Sequence, residues 1–167
     1  MKIIMISGDG QGAGKTFLAL KMTDNQSQIF SIANLIRAEL QKKFPEYDWY
    51  NRQPEYKMNT MVRQTRKSIL QHLDEHGRGA KQSDAIVWAR YMVDVLTYAR
   101  DHEKHDTVVV DDLRFVDEYE YIKSALKSEH IVHFHMCHEK AKPEPHYENE
   151  RLRQIADYLV YRQKKPS

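Results

Sequence analysis

Short apolar runs alternate along the chain with longer stretches in which apolar residues recur every three or four positions. The runs are typical of buried strands, and the longer period is typical of amphipathic helices. The runs predict strands at residues 2–7, 107–111, 130–136 and 157–161. The helical spacing predicts helices at about residues 15–22, 29–43, 60–76, 84–100, 117–128 and 148–156. Because strands alternate with helices, we expect one α/β domain over residues 1–167, with a mainly parallel sheet flanked by helices.

Local signals refine the middle of the chain. Gly77 and Gly79 are predicted to end the helix at 60–76, and Ser83 or Asp84 to cap the next one. Residues 45–58 contain two prolines and four aromatic residues, which indicates an ordered aromatic loop. Its tyrosines and tryptophan either pack into the core or stack against a base.

The strongest motif is a glycine-rich segment between the first predicted strand and the first predicted helix. A strand, a glycine-rich loop and a helix in this order are the context of a phosphate-binding loop. The lysine at its end can reach the β- and γ-phosphates of ATP, and the threonine hydroxyl can bind Mg²⁺. The backbone N–H groups of the loop can surround phosphate oxygens. The predicted nucleotide-binding residues are Gly10, Gly12, Ala13, Gly14, Lys15 and Thr16.

The spacing of this loop is unusual at one position. The usual pattern has its first glycine six residues before the lysine, where this chain has Asp9, and Gly8 lies one position earlier. The loop is therefore one residue longer or begins with an acid. A carboxylate beside phosphate costs electrostatic energy unless its side chain turns outward.

A second polar cluster follows the buried strand at 107–110. Asp111, Asp112 and Arg114 come directly after it. Because ligands collect at the carboxyl ends of parallel strands, these side chains and the glycine-rich loop are expected to face one crevice. Asp111 is the predicted Mg²⁺ ligand, and either aspartate can instead orient an acceptor or act as a base. Arg114 can bind an anion through two hydrogen bonds.

Several segments, in order, resemble the phage-type deoxynucleoside monophosphate kinases, which are phosphate-loop enzymes. The glycine-rich loop is the first. The others are Arg66 to Arg78, which ends in Gly77-Arg78, the tryptophan segment Trp88-Ala89-Arg90, Asp112-Leu113-Arg114-Phe115-Val116-Asp117-Glu118, and Ala156 to Val160. The chain departs from the family pattern at Phe17, where an acid or small polar residue is common, and at Asp117, where asparagine is usual.

The resemblance implies a three-layer kinase fold and transfer of the γ-phosphate of ATP, with Mg²⁺, to a nucleotide. It implies ATP-phosphate binding by Gly12, Gly14, Lys15 and Thr16. The residues it implies on the acceptor side are Asp112, Arg114, Arg78 and Arg90. Trp88 and Glu118 are further predicted substrate-binding residues. A charged, proline-containing segment at 138–153 is the candidate lid, with Arg151 and Arg153 as its arginines.

The sequence allows two kinds of phosphate acceptor. A deoxynucleoside monophosphate attacks through an oxygen that is already ionised, so no base is required. An alcohol must lose a proton to a base such as Asp111 or Asp112. The second case matches a related phage kinase that phosphorylates 5-hydroxymethyluracil within DNA. A nucleotide-binding regulator without transferase activity is the alternative outside the enzymes.

The composition limits the binding partners and the cellular location that we expect for this protein. Lys and Arg number 26 against 24 Asp and Glu, a net charge of +2, which does not indicate a general nucleic-acid-binding protein. The single cysteine excludes an intrachain disulfide and favours the cytoplasm. No apolar run is long enough to span a bilayer and no signal-peptide pattern is present, so no membrane partner is expected. The oligomeric state stays open, a homodimer included.

Basic residues concentrate in two stretches, which form either solvated helix faces or an anion-binding cleft. The first contains Arg37, Lys42, Lys43, Arg52, Lys57, Arg63, Arg66 and Lys67, and the second Arg151, Arg153, Arg162, Lys164 and Lys165. The lysine-rich end at 163–167 is expected to fray.

His133 and His135 alternate onto one face of their predicted strand, a spacing compatible with metal binding. With no acidic partner nearby in the sequence, ordinary polar-face histidines are the favoured interpretation. Cys137 is expected to be a small buried residue rather than a nucleophile.

Overall fold

The sheet is built around the first strand of the chain. The computed structural model describes residues 1–25 and 28–162. Five strands pair in parallel: β1 (Lys2–Gly8), β2 (Ile29–Phe30), β5 (Thr107–Val110), β6 (His130–Cys137) and β7 (Tyr158–Tyr161). Their order is β2-β5-β1-β6-β7, which places β1 in the centre. Two further strands, β3 (Met61–Val62) and β4 (Lys67–Ser68), form a separate antiparallel pair. Lys164, Lys165 and the end at 163–167 lie outside the described residues.

Eight α-helices accompany these strands in the described ranges. They are α1 (Lys15–Met22), α2 (Ile32–Lys43), α3 (Pro54–Asn59), α4 (Ile69–Asp74), α5 (Ala80–Ser83), α6 (Val87–Tyr98), α7 (Val116–Ala125) and α8 (Asn149–Ile155). Wider π-helical turns at Glu75–Gly79 and Ala99–Glu103 extend α4 and α6. The predicted α/β class with a parallel sheet is confirmed.

Alternate residues of β1 divide the core between the two faces of the sheet. Ile3 and Met5 lie in one hydrophobic cluster with residues of α2, α6 and α7. Ile4 and Ile6 lie in the other, with Leu18 of α1. Side chains of a strand alternate between faces, so an entirely apolar strand requires cover on both sides. Helices on both faces follow from this requirement, and they leave the strand ends as the open part of the fold.

Two predicted helices begin later than their apolar spacing suggests. The helix predicted at 60–76 is wrong over its first half, where β3 and β4 form a hairpin that turns at Arg66 with φ of 59°. Ser68 then caps α4: its hydroxyl accepts the Gln71 N–H, and the Gln71 side chain accepts the Ser68 N–H. This capping box fixes the helix start at Ile69. The helix predicted at 29–43 begins after β2, because Ile29 and Phe30 pair with β5.

Two other boundary predictions are wrong for a related reason. Gly77 and Gly79 do not end a helix, because the π-helical turn continues through them into α5. The Gly77 carbonyl accepts a hydrogen bond from the Trp88 indole at 3.0 Å, which ties this turn to α6. Neither Ser83 nor Asp84 caps α6, whose N-cap position is Ile86. Tertiary contacts here outweigh the local residue preferences.

The aromatic segment at 45–58 contributes Trp49 to the core, with Tyr47 and Tyr56 partly buried against it and Tyr50 exposed. Trp49 is fully buried in a cluster with Leu40, Phe44 and Val62. Its indole donates to the Phe44 carbonyl at 2.9 Å. The end of the segment, predicted as loop, forms α3. Across residues 1–25 and 28–162, no helix has the length and apolar character needed to cross a membrane.

Candidate functional site

The glycine-rich loop between β1 and α1 has a backbone that favours glycine at three positions. Gly10, Gly12 and Gly14 have φ of 153°, 84° and 99°. At Gly8, an added Cβ would lie 3.1 Å from Cγ and Cδ of Lys15, so the lysine side chain passes directly over this glycine. The loop therefore returns Lys15 across the end of β1, and Gly14 begins α1.

Asp9 turns outward from this loop. Its carboxylate accepts a hydrogen bond from Nε2 of His135 at 2.7 Å and another from the His138 backbone N–H at 2.9 Å. The Arg153 guanidinium lies 3.6 Å from it. These contacts hold the Asp9 carboxylate against the end of β6. It therefore points away from the place where a phosphate would bind, and the repulsion expected from the sequence is avoided.

The predicted lid segment is bound to the outer rim of the loop. Gln11 and Lys142 exchange two backbone hydrogen bonds of 3.0 Å, and Arg162 donates to the Gly12 carbonyl at 3.1 Å. A Cβ on Gly10 would lie 2.0 Å from the Lys142 carbonyl oxygen. A side chain at position 10 is thus excluded by both backbone conformation and space.

Asp111 and Asp112, at the end of β5, hold the start of α2. The Asp112 carboxylate accepts the N–H groups of Ile32 and Ala33 at 2.8 and 2.9 Å, and the Ser31 hydroxyl donates to Asp111 at 2.5 Å. These bonds satisfy N–H groups that the first turn of a helix leaves without partners. Burial, and then the charge of Asp112, raises the pKa of Asp111.

A cleft of about 480 Å³ lies between the glycine-rich loop and helices α2 to α7. It brings together predicted residues from four separate parts of the chain. Seven of them line it: Gly12, Lys15, Arg78, Trp88, Asp112, Arg114 and Glu118. Glu144 and Tyr147 of the predicted lid line it as well.

Other predicted residues do not line this cleft: Gly10, Ala13, Gly14, Thr16, Asp111, Arg90, Arg151 and Arg153. Gly10, Ala13, Gly14 and Thr16 still belong to the loop and the first turn of α1, and Thr16 is exposed. Arg90 pairs with Asp84, and Arg151 pairs with Glu148 at 2.7 Å.

Lys15 and Arg114 place two positive charges in the same part of the cleft. Burial and the nearby Arg114 guanidinium lower the pKa of Lys15, while Glu144 and Asp112 act in the opposite direction. Arg114 lies 3.5 Å from Glu144 and 4.4 Å above the Tyr147 ring. An anion bound between these two cations would relieve their repulsion.

Sequence reasoning missed Lys81 of α5, and within the first basic stretch it did not single out Arg37 of α2 and Lys57 of α3, although all three line the cleft. Burial and the charge of Arg52 lower the pKa of Arg37, and burial with Arg37 and Arg52 lowers that of Lys57. The Nε of Arg37 is buried without a hydrogen-bond partner among the described residues. The first basic stretch was the sequence feature that pointed to Arg37 and Lys57, but it did not indicate which of its residues would face the cleft.

The far wall of the cleft combines apolar and charged groups. Trp88 lines it together with Ile36, Leu70 and Leu73. Beside this apolar surface, Lys81 pairs with Glu118 at 3.0 Å and lies 3.7 Å above the Phe115 ring. Glu118 is almost fully buried, and burial raises its pKa to about 7. Such a surface suits a planar ring with polar edges.

Neither a scan of protein-family models nor a search of the curated proteins finds a match for this chain. Function is therefore inferred from the geometry and charge of the cleft.

Proposed function

We propose that this protein is an ATP- and Mg²⁺-dependent phosphotransferase of the phosphate-loop kinase type, with a deoxynucleoside monophosphate as its acceptor. One observation carries the proposal. Lys15, the first residue of α1, and Arg114, beyond the end of β5, line one cleft with Asp112. Phosphoryl transfer depends mainly on positioning and on neutralising charge, and this is the part of the molecule where cations converge.

The glycine-rich loop supports the donor half of this proposal. Gly12 has a positive φ, lines the cleft and has no atom within 4 Å of the position that a Cβ would take, and Gly8 lies beneath Lys15. The backbone is therefore free of side chains at the two places where phosphates would approach. The Thr16 hydroxyl and Asp111 are the groups that would hold Mg²⁺, which would neutralise phosphate charge. Lys15 would contact the β- and γ-phosphates.

The opposite side of the cleft supports the acceptor half. Arg37 and Lys57 would bind the phosphate of the monophosphate, since like charges held close together gain most from an anion. The apolar wall at Trp88 would contact the base, and Glu118 with Lys81 would hydrogen-bond its edge. Arg78 is paired with Asp74 through Nε at 2.6 Å and lies at the same rim.

The placement of the two aspartates favours a monophosphate over an alcohol. Both oxygens of Asp112 already accept N–H groups from α2. Asp111, whose pKa burial raises to about 6, does not line the cleft. Neither carboxylate is therefore placed to take a proton from an alcohol. An acceptor that is already ionised needs no such base.

The test is a turnover screen with γ-labelled ATP and Mg²⁺. The acceptors are the deoxynucleoside monophosphates, DNA containing 5-hydroxymethyluracil, and the matching unmodified DNA. We expect labelled diphosphate from at least one free monophosphate. Label in the modified DNA alone would replace the proposed acceptor with the base in DNA. Tight ATP binding without transfer to any acceptor would contradict the enzymatic function and favour a regulator.

A further inference from the structure

A row of buried polar side chains lies where the ends of β1 and β6 pair, and none of its members lines the cleft. Ser7 lies between two histidines of β6, with its Oγ 2.6 Å from Nε2 of His133 and 2.8 Å from Nδ1 of His135. His135 then contacts Asp9 through Nε2. Ser7 and both histidines are fully buried. The proposed kinase function makes no use of this row.

Cys137 adds a thiol to the same place. It follows His135 by two residues on β6, so both side chains lie on one face of the strand. The donor atoms of Asp9, His135 and Cys137 all lie within 4.8 Å of one another. The Cys137 thiol is buried, and its recorded hydrogen bond is a weak one to the His135 carbonyl at 3.9 Å. A carboxylate oxygen, an imidazole nitrogen and a thiolate sulfur are the ligand atoms that Zn²⁺ accepts.

The contact with Ser7 orients His135 for such a role. Without a metal, the Nε2–H of His135 donates to Asp9, and Nδ1 lies 2.8 Å from the Ser7 hydroxyl. In the other ring tautomer the Ser7 oxygen can accept the Nδ1–H, which leaves the Nε2 lone pair for a metal ion that binds beside Asp9. Metal-binding histidines commonly donate their other ring N–H to a neighbouring oxygen, which fixes the ring. The histidine and its supporting hydroxyl are both inaccessible to water, which keeps this arrangement rigid.

We propose that Asp9, His135 and Cys137 form a binding site for a divalent transition-metal ion of the zinc class. Three protein ligands leave one position of a tetrahedral ion for water. Zinc lies about 2.0 Å from nitrogen and about 2.3 Å from sulfur, so the three donor atoms approach one another when the ion binds. Mg²⁺ prefers oxygen ligands in octahedral geometry, so this site is distinct from the one proposed beside Thr16.

Arg153 is the group that opposes the ion. Its guanidinium lies 3.6 Å from the Asp9 carboxylate. A cation that neutralises Asp9 competes with a bound metal ion for the same carboxylate. Removing this side chain is therefore expected to tighten metal binding, whereas removing a side chain that only stabilises the fold would not.

The experiment titrates the nucleotide-free protein with Co²⁺, then displaces it with Zn²⁺. Binding of one Co²⁺ per chain with a thiolate-to-metal absorption band is the expected result. Cys137→Ser is expected to lose this band and to weaken Zn²⁺ binding about a hundredfold or more. Arg153→Ala should tighten Zn²⁺ binding several-fold. His130→Gln, at the opposite end of β6 where the side chain is exposed, is the matched control and should bind like the parent protein.

Either of two results would overturn the site. One is the absence of a thiolate band in the folded parent protein. The other is a Cys137→Ser variant that binds Zn²⁺ as tightly as the parent. Circular dichroism of each variant is the control that checks whether the fold is retained. Because no nucleotide is present, the outcome is independent of the proposed kinase activity.

Discussion

The two sides of the cleft are built in different ways. The loop side, residues 8–16, is one continuous segment between β1 and α1, and its Gln11, Gly12 and Lys15 line the cleft. The cationic side, Arg37, Lys57 and Arg78, collects side chains from α2, α3 and the π-helical turn after α4. A backbone site requires one local sequence, whereas a side-chain site requires several elements to pack correctly. Substitutions on the two sides should therefore differ in what they change.

The largest effect is expected on the loop side. Lys15→Ala removes the cation nearest the transferring phosphate and should lower kcat about a hundredfold or more, as loss of one charge-stabilising group does. Steady-state kinetics with the best acceptor measures this effect. Lys21→Ala, an exposed lysine of α1 that lies over Phe17, is the matched control. A fully active Lys15→Ala protein would remove the loop from the proposed site.

A pH effect is expected on the far wall of the cleft. Glu118 has its pKa raised by burial from 4.5 to about 7, so the folded state favours the protonated form. Its contribution to the free energy of unfolding is complete below pH 4.5 and is lost as the pH rises through about 7. The difference is about 3 kcal/mol. Urea unfolding across this range should show the loss in the parent protein, and Glu118→Gln should reduce it, whereas exposed Glu120→Gln should keep it.

On the cationic side, Arg37→Ala should raise KM for the acceptor about tenfold or more while leaving KM for ATP nearly unchanged. The basis is the loss of a charged hydrogen bond, which is worth about 1.5–3 kcal/mol. Arg63→Ala is the control, because this arginine belongs to the same basic stretch and does not line the cleft. Equal changes in both KM values would show that Arg37 does not distinguish the two substrates.

The smallest effect is expected on stability, at Asp112, which holds the start of α2 between the two sides of the cleft. Asp112→Ala removes both acceptors that hold the first turn of α2 and should lower the free energy of unfolding by about 1–2 kcal/mol. Chemical denaturation measures it, with Asp94→Ala, an exposed aspartate of α6, as control. An Asp112→Ala protein as stable as its parent would mean that these hydrogen bonds contribute nothing to the fold.

Features fixed by one local segment could be predicted from the sequence, whereas features that depend on tertiary packing could not. The central strands and α1 were predictable because their signals are local: apolar runs for β1 and β5, and glycines before Lys15 for the helix start. The hairpin of β3 and β4 was not, because its residues also fit a helical spacing and only tertiary contacts distinguish the two. The α/β class thus follows from the sequence, whereas the start of α4 does not.

The residues of the site also differ in whether the local sequence could predict them. Lys15, Asp112 and Arg114 were predictable because each lies next to a strand end, where parallel sheets bind ligands. Arg37 and Lys57 were not, because their inward orientation depends on how α2 and α3 pack. Asp9 and His135 are 126 positions apart, and only the pairing of β1 with β6 brings them together.

The placement of the two tryptophans gives the molecule an optical probe. Trp49 is enclosed away from the cleft, whereas Trp88 forms part of the cleft wall and makes one hydrogen bond through its indole. A Trp49→Phe protein would leave Trp88 as the sole indole fluorophore. Its emission would then report on occupancy of the acceptor side, so ligand affinity could be followed there without any label or any turnover.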